Sequence, residues 1–285
     1  MNNKMNIPLS GIIPPLVTPL LDDDVLDVEG LQRLIEHLIA GGVHALFVLG
    51  TTGESQSLSY KLRMEMIKNT CRIAKGRLPV LVCISDTSIV ESVNLACLAA
   101  DHGADAVVSA PPYYFATGQP ELIEFYEHLL PQLPLPLFLY NMPTHTKVNF
   151  APATIQRIAE NPGVIGFKDS SANTVYFQSV MYAMKDKSGF LDAGGTGRNY
   201  GGIRTAGGSW RRKRWCEYVP RIVCELIQRC EECRYGRSET FAGKSNANQC
   251  YDIYGRATWV QLPERSEMCS QSTRNMQRLC GCAFP

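Results

Sequence analysis

The stretch Gly163-Val-Ile-Gly-Phe-Lys168-Asp-Ser-Ser171 decides how the rest of the chain is read. Val164, Ile165 and Phe167 form a short apolar run bounded by Gly163 and by a polar Asp-Ser-Ser turn, which predicts a buried strand. Lys168 stands at the C-terminal end of that strand. In a repeating β/α layout the loops at this end supply polar groups to a shared mouth, where chemistry collects. Between apolar walls an ammonium loses hydration, which favours the neutral, nucleophilic amine. Such an amine condenses with a ketone to an imine, which acts as an electron sink. A lone lysine can instead merely cap a strand and reach water, so its surroundings must decide.

Those surroundings alternate between strand and helix. Gly11-Ile-Ile-Pro-Pro-Leu-Val-Thr-Pro19 predicts a first strand, and Leu31, Leu34, Ile35, Leu38 and Ile39 recur at helical spacing until Gly41-Gly42. Strands are predicted over 45–49, 78–84, 106–110, 135–140 and 164–168, with a further one opening at 189–191. Helices are predicted between them, over 60–75, 89–102, 121–130, 152–160 and 174–184. Short, almost continuously apolar strands alternating with helices mark a parallel sheet covered on both faces. Units of this length fit a (β/α)8 TIM barrel better than a doubly wound sheet. No linker interrupts the chain before residue 190.

Composition narrows the class. The chain has 285 residues and a net charge of +1, so charge gives no argument for nucleic acid or a membrane surface as partner. The first ten residues are polar with a proline, and no apolar run approaches a membrane span, so a soluble, cytoplasmic protein is expected. The averages hide a break near Phe190. Upstream lie three cysteines, five arginines, all five histidines and no tryptophan; downstream lie eight cysteines, thirteen arginines and all three tryptophans.

At the predicted strand ends stand Gly50-Thr51-Thr52-Gly53, Tyr113-Tyr114, Tyr140-Asn141 and Lys168. Each group follows a different strand, so a barrel would bring them to one mouth. The glycine-threonine loop can offer N–H groups and two hydroxyls to a carboxylate, though it also suits a plain βα turn. Tyr140 can give or take a proton at a carbinolamine oxygen, though strand-end tyrosines often only pack.

Gly-Thr-Thr-Gly-Glu at 50–54, Pro-Pro-Tyr-Tyr at 111–114, Tyr-Asn-Met-Pro at 140–143 and Gly-Phe-Lys-Asp at 166–169 together resemble the dihydrodipicolinate synthase / N-acetylneuraminate lyase family, in order and spacing, from about Gly11 to Leu191. The resemblance implies a Schiff-base lyase or aldolase of class I on a TIM barrel, a homotetramer acting on pyruvate or a 2-oxo acid with an aldehyde, without metal or cofactor. It makes Lys168 the imine-forming residue and Tyr140 the general acid/base. It makes Thr51 and Thr52 the carboxylate-binding pair, with Gly50 and Asn141 beside the substrate. Thr51 joins a proton relay with Tyr114, lent by a neighbouring subunit. Where the synthase carries an arginine for the aldehyde's carboxylate, this chain has His145, which cannot make the bidentate fork. A lyase or aldolase for sugar-derived aldehydes is therefore the alternative. A protein that binds a 2-oxo acid without turnover is the rival from another class.

From Asp192 the β/α rhythm fades. Gly194-Gly-Thr-Gly197 lacks the strand–turn–helix context of a nucleotide loop, and Cys230-Glu-Glu-Cys233 with Cys280-Gly-Cys282 fits no common zinc spacing. Arg211-Arg-Lys-Arg214 between two tryptophans would suit a nucleic-acid patch. A single explanation covers the whole tail. Codons can be chosen for it that, read from the second base, give family-like segments such as GVGGESGGVNMFPELYVSLYNAA from Gly208 onward. Residues 1–191 are thus expected to hold barrel units one to six and the start of strand seven. Residues 192–285 are expected to be an out-of-frame tail, with the eighth strand and closing helices lost.

Overall fold

A computed structural model of the chain describes Leu9, residues 11–194 and the backbone of Lys213 and Arg214. The first regular element is a small antiparallel hairpin, β1 (Leu20–Asp22) and β2 (Val25–Leu26), turned at Asp23-Asp24. Helix α1 (Val28–Ala40) starts at Asp27, whose carboxylate accepts from the Gly30 amide at 2.7 Å. There follow β3 (Leu46–Val48), α2 (Tyr60–Ala74), β4 (Val80–Cys83), α3 (Ile89–Asp101), β5 (Ala106–Ser109) and α4 (Gln119–Leu129). Next come β6 (Leu137–Asn141), the single turn α5 (Pro143–Thr146), α6 (Pro152–Ile158), β7 (Val164–Asp169), α7 (Thr174–Ala183) and β8 (Leu191–Gly194).

Strands β3 to β8 pair in parallel, each with its sequence neighbour, and every residue of β3, β4, β5 and β6 is buried. Burial on both faces explains why these strands read as unbroken apolar runs rather than alternating ones. Helices α2, α3 and α7 start at side-chain caps: Ser59, Ser88 and Asn173 accept from the amides of Leu62, Glu91 and Tyr176. This is the (β/α) barrel architecture expected from the sequence. A two-residue strand β9 (Lys213–Arg214) adds to β8, pairing Ala193 with Lys213 and Gly194 with Arg214. It has no apolar run of the kind an eighth barrel strand needs. The remaining tail features, its cysteine pairs and the family-like shifted frame, lie outside the described residues.

Two local expectations change. Gly11–Pro19 is not a regular strand. Pro15 makes a single parallel bridge to Phe47, supported by Leu16 N–H to the Phe47 carbonyl at 2.8 Å and Phe47 N–H to the Pro14 carbonyl at 3.1 Å. Pro14, Pro15 and Pro19 have no N–H to give, so a ladder cannot propagate. The hairpin of β1 and β2 was not foreseen, because its two strands are too short to show a period.

The β6–β7 pair carries an irregularity that matters for the site. Leu137 pairs with Val164 but Phe138 pairs with Gly166, so Ile165 is an extra residue in β7. Beyond it the register runs regularly and sets Tyr140 opposite Lys168 and Asn141 opposite Asp169. Gly166 permits this closeness: a Cβ there would stand 2.5 Å from the Phe138 ring and 2.6 Å from the Leu191 carbonyl oxygen.

Candidate active site

Lys168 is only 4% exposed, and its amine lies 3.8 Å from the ring centre of Tyr140 and 4.8 Å from that of Phe47. Those rings meet edge to face with centres 6.4 Å apart. The lysine is therefore held between aromatic walls, one from β6 and one from β3, as the sequence argument required. Tyr140 is itself buried, and its hydroxyl is 3.3 Å from the Thr51 hydroxyl. A buried amine, a phenol and an aliphatic hydroxyl thus come together from three different strand ends.

The turn that supplies Thr51 is held tightly. Gly53 N–H donates to the Gly50 carbonyl and Glu54 N–H to the Thr51 carbonyl, both at 3.0 Å. A Cβ on Gly50 would lie 2.4 Å from the Phe47 ring, and one on Gly53 would lie 2.8 Å from the Leu16 carbonyl oxygen. Both glycines are there for close approach. Buried Leu49, just before them, holds φ at 60°, a left-handed conformation that costs a branched residue roughly 1–3 kcal/mol. Strain of this size persists only where packing over-determines the turn.

The other expected site residues fall into two groups. Thr52 is half-buried in the same turn as Thr51, and Asn141 is fully buried one position beyond Tyr140. The carboxamide of Asn141 is engaged by Asp169, Asn149 and the Phe150 amide. Tyr114 and His145 stand apart. Tyr114 is 78% exposed, its ring edge to face with exposed Phe115, and His145 is an exposed residue of α5 bonded through Nδ1 to the Thr144 hydroxyl at 2.9 Å. Neighbouring Tyr113 donates to Gln56 Oε1 at 2.5 Å.

Three nearby residues carried no sequence signal. Phe47 reads as one more apolar strand residue. Cys83 ends β4 with its sulfur 3.2 Å from the Ser85 hydroxyl, and burial pushes its thiol up from the ordinary range. Asp169 looks like part of a polar turn, yet it is 1% exposed; burial raises its carboxyl above the ordinary 3.8, opposed by hydrogen bonds from Asn141 and Ser171. Among the described residues no group of three or more His, Cys, Asp or Glu side chains is placed to hold a metal ion, and no helix is long and apolar enough to cross a membrane.

A parallel βα sheet with a buried lysine at one strand end and a tyrosine beside it defines a (β/α) barrel protein. The chain belongs to the dihydrodipicolinate synthetase family, whose model matches residues 8–194. It is similar in structure to the dihydrodipicolinate synthase of Bacteroides thetaiotaomicron, with a TM-score of 0.81 and 67% identity over 98% of this chain and 92% of that one. Among curated proteins, it is 33% identical to a probable 2-dehydro-3-deoxy-D-pentonate aldolase of Escherichia coli over 62% of this chain and 59% of that protein. It is also 33% identical to a 4-hydroxy-tetrahydrodipicolinate synthase of Methanoculleus marisnigri, over 62% of this chain and 61% of that protein. The chain therefore spans about three fifths of the length of these curated relatives.

Proposed function

We propose that this protein is built as a class I lyase that forms an imine between Lys168 and the ketone carbon of pyruvate or a related 2-oxo acid, in the manner of a dihydrodipicolinate synthase. The observation that carries the reading is the amine of Lys168, buried between Tyr140 and Phe47, with the Tyr140–Thr51 hydroxyl pair beside it. The neutral amine adds to C2 of the 2-oxo acid, and the ketone oxygen takes a proton to become a carbinolamine hydroxyl. Tyr140 protonates that hydroxyl as it leaves as water, and the C=N bond forms. Loss of a proton from C3 gives an enamine, which attacks the aldehyde carbon. Water then cleaves the imine, returning the amine and releasing the product. Thr51 and Thr52 are assigned to the carboxylate. Exposure of Tyr114 supports its reaching into a neighbouring subunit of a tetramer rather than its own site.

Incubation with pyruvate and borohydride tests this, read as a three-carbon adduct on the Lys168 peptide and its loss in Lys168→Ala. The measurement is made on the chain as given and on a frame-restored counterpart, in which the codons from Asp192 are read one base on. We infer that residues 192–285 are out of frame, supported by the composition break and by a family match that ends at 194. No adduct in the restored protein sinks the imine reading.

A second reading concerns the aldehyde. An imidazole at His145 lacks the planar fork that grips a carboxylate bidentately, which favours a neutral or sugar-derived aldehyde over aspartate semialdehyde. Parallel turnover assays with both aldehydes decide; efficient dihydrodipicolinate synthesis refutes the preference.

A further inference from the structure

Asp169 is a buried charged group to which the proposed chemistry gives no task. It lies one residue past Lys168, and its partner across the ladder is Asn141, one residue past Tyr140. Asn141 Nδ2 donates to Asp169 Oδ1 at 2.9 Å, and the Ser171 amide donates to the same oxygen at 3.0 Å. The Ser171 hydroxyl donates to Oδ2 at 2.9 Å. Asn141 reaches further: Nδ2 also donates to Asn149 Oδ1 at 3.1 Å, and Oδ1 accepts from the Phe150 amide at 3.3 Å. Its main-chain carbonyl accepts from the Ser170 amide at 2.8 Å. The ends of β6 and β7 are thus tied together, and to the 149–150 segment, immediately beyond the Tyr140–Lys168 pair. Strand ends are where ladders fray, and the chain here turns through Ala172 at φ 60°.

We propose that Asn141 and Asp169 are positioning residues, a side-chain clamp that fixes the ends of β6 and β7 so that the Lys168 amine is held against Tyr140 before substrate arrives. The proposal rests on the imine reading, and it assigns Asn141 to holding the site rather than to touching substrate. A lysine side chain has four rotatable bonds, so a fixed backbone beneath it removes part of the search for an attacking geometry. Misplacement by about 1 Å costs on the order of a hundredfold in rate.

The test uses Asp169→Asn, Asp169→Ala and Asn141→Ala, each in the chain as given and in its frame-restored counterpart. Two readouts are compared: the rate of pyruvate adduct formation under borohydride, and amide hydrogen exchange at Phe150, Ser170 and Ser171 without pyruvate. Adduct formation should slow by about tenfold to a hundredfold in both alanine variants. Half-saturation by pyruvate should stay nearly unchanged, and Asp169→Asn, which keeps the acceptor for Asn141, should recover most of the rate. Exchange at these amides should speed up by about tenfold or more in both alanine variants, because the ties they make to Asn141 and Asp169 loosen, and should stay near the parental rate in Asp169→Asn. Alanine variants that melt cooperatively, form adduct at the parental rate and keep the parental exchange rates would overturn the clamp. If the frame-restored parent gives no adduct the imine reading fails, and unchanged exchange in the alanine variants still overturns the clamp.

Discussion

At the scale of single residues, the site is made by what surrounds its amine. Lys168 was legible because a lysine ending an apolar strand is out of place unless it has work, and Tyr140 because it ends the adjacent strand. The wall opposite was not legible, since Phe47 has the same sequence appearance as any buried strand residue. Nor was the burial of Asp169, which depends on Asn141 arriving from 28 positions upstream. Tyr140 offers the sharpest separation of wall from proton donor. Tyr140→Phe keeps the ring against the Lys168 amine but removes the hydroxyl beside Thr51. We expect imine formation to slow by about 10²–10⁴-fold with the fold intact, measured as adduct rate alongside thermal melting. A variant that reacts at the parental rate would remove Tyr140 from acid–base duty.

At the scale of elements, the strands from β3 to β7 were readable because each is buried on both faces and bounded by turn residues. Their boundaries moved by two residues at most, as frayed ends do. The N-terminal segment failed because its apolar residues suggested a ladder that its prolines cannot form. The irregular pairing of β6 with β7 was invisible, since a bulge leaves no periodic trace in six residues. Gly166 gives this scale its prediction. Its missing Cβ is closed in by the Phe138 ring and by a main-chain carbonyl, and the carbonyl cannot rotate aside. Gly166→Ala should therefore destabilise the protein by about 1–3 kcal/mol or more, and lower adduct yield by parting β7 from its neighbours, read from denaturant midpoints. Gly163→Ala, whose nearest obstacle is the Asn161 side chain at 3.1 Å, is the milder control.

At the scale of the whole molecule, the described sheet has a bridge to Pro15 on one side and two basic residues on the other. Among the described residues no pairing joins these edges, whereas a barrel removes its edges only by closing. Marginal stability of about 5–15 kcal/mol leaves little room for losing the eighth strand and closing helices, which the sequence from Asp192 on does not supply. We expect the 285 residues as given to express as insoluble or loosely packed material without imine formation. The frame-restored counterpart should give a soluble oligomer. A soluble chain with a cooperative melt and a confirmed reading frame would refute that account of the tail. The bulge at Ile165 has one more consequence, a matter of parity. Side chains alternate along a strand, and β7 holds three residues between Val164 and Lys168 where β6 holds two between Leu137 and Tyr140, so losing one residue there leaves the lysine facing the site. Ile165 is the supernumerary position, and deleting it lets Gly166 follow Val164 in the ladder while Lys168 keeps its place opposite Tyr140. A frame-restored protein lacking Ile165 should still trap pyruvate, whereas one lacking Phe167 loses a fully buried ring packed on Phe150 and Tyr176 and should not, which makes a single codon in β7 expendable beside others that are not.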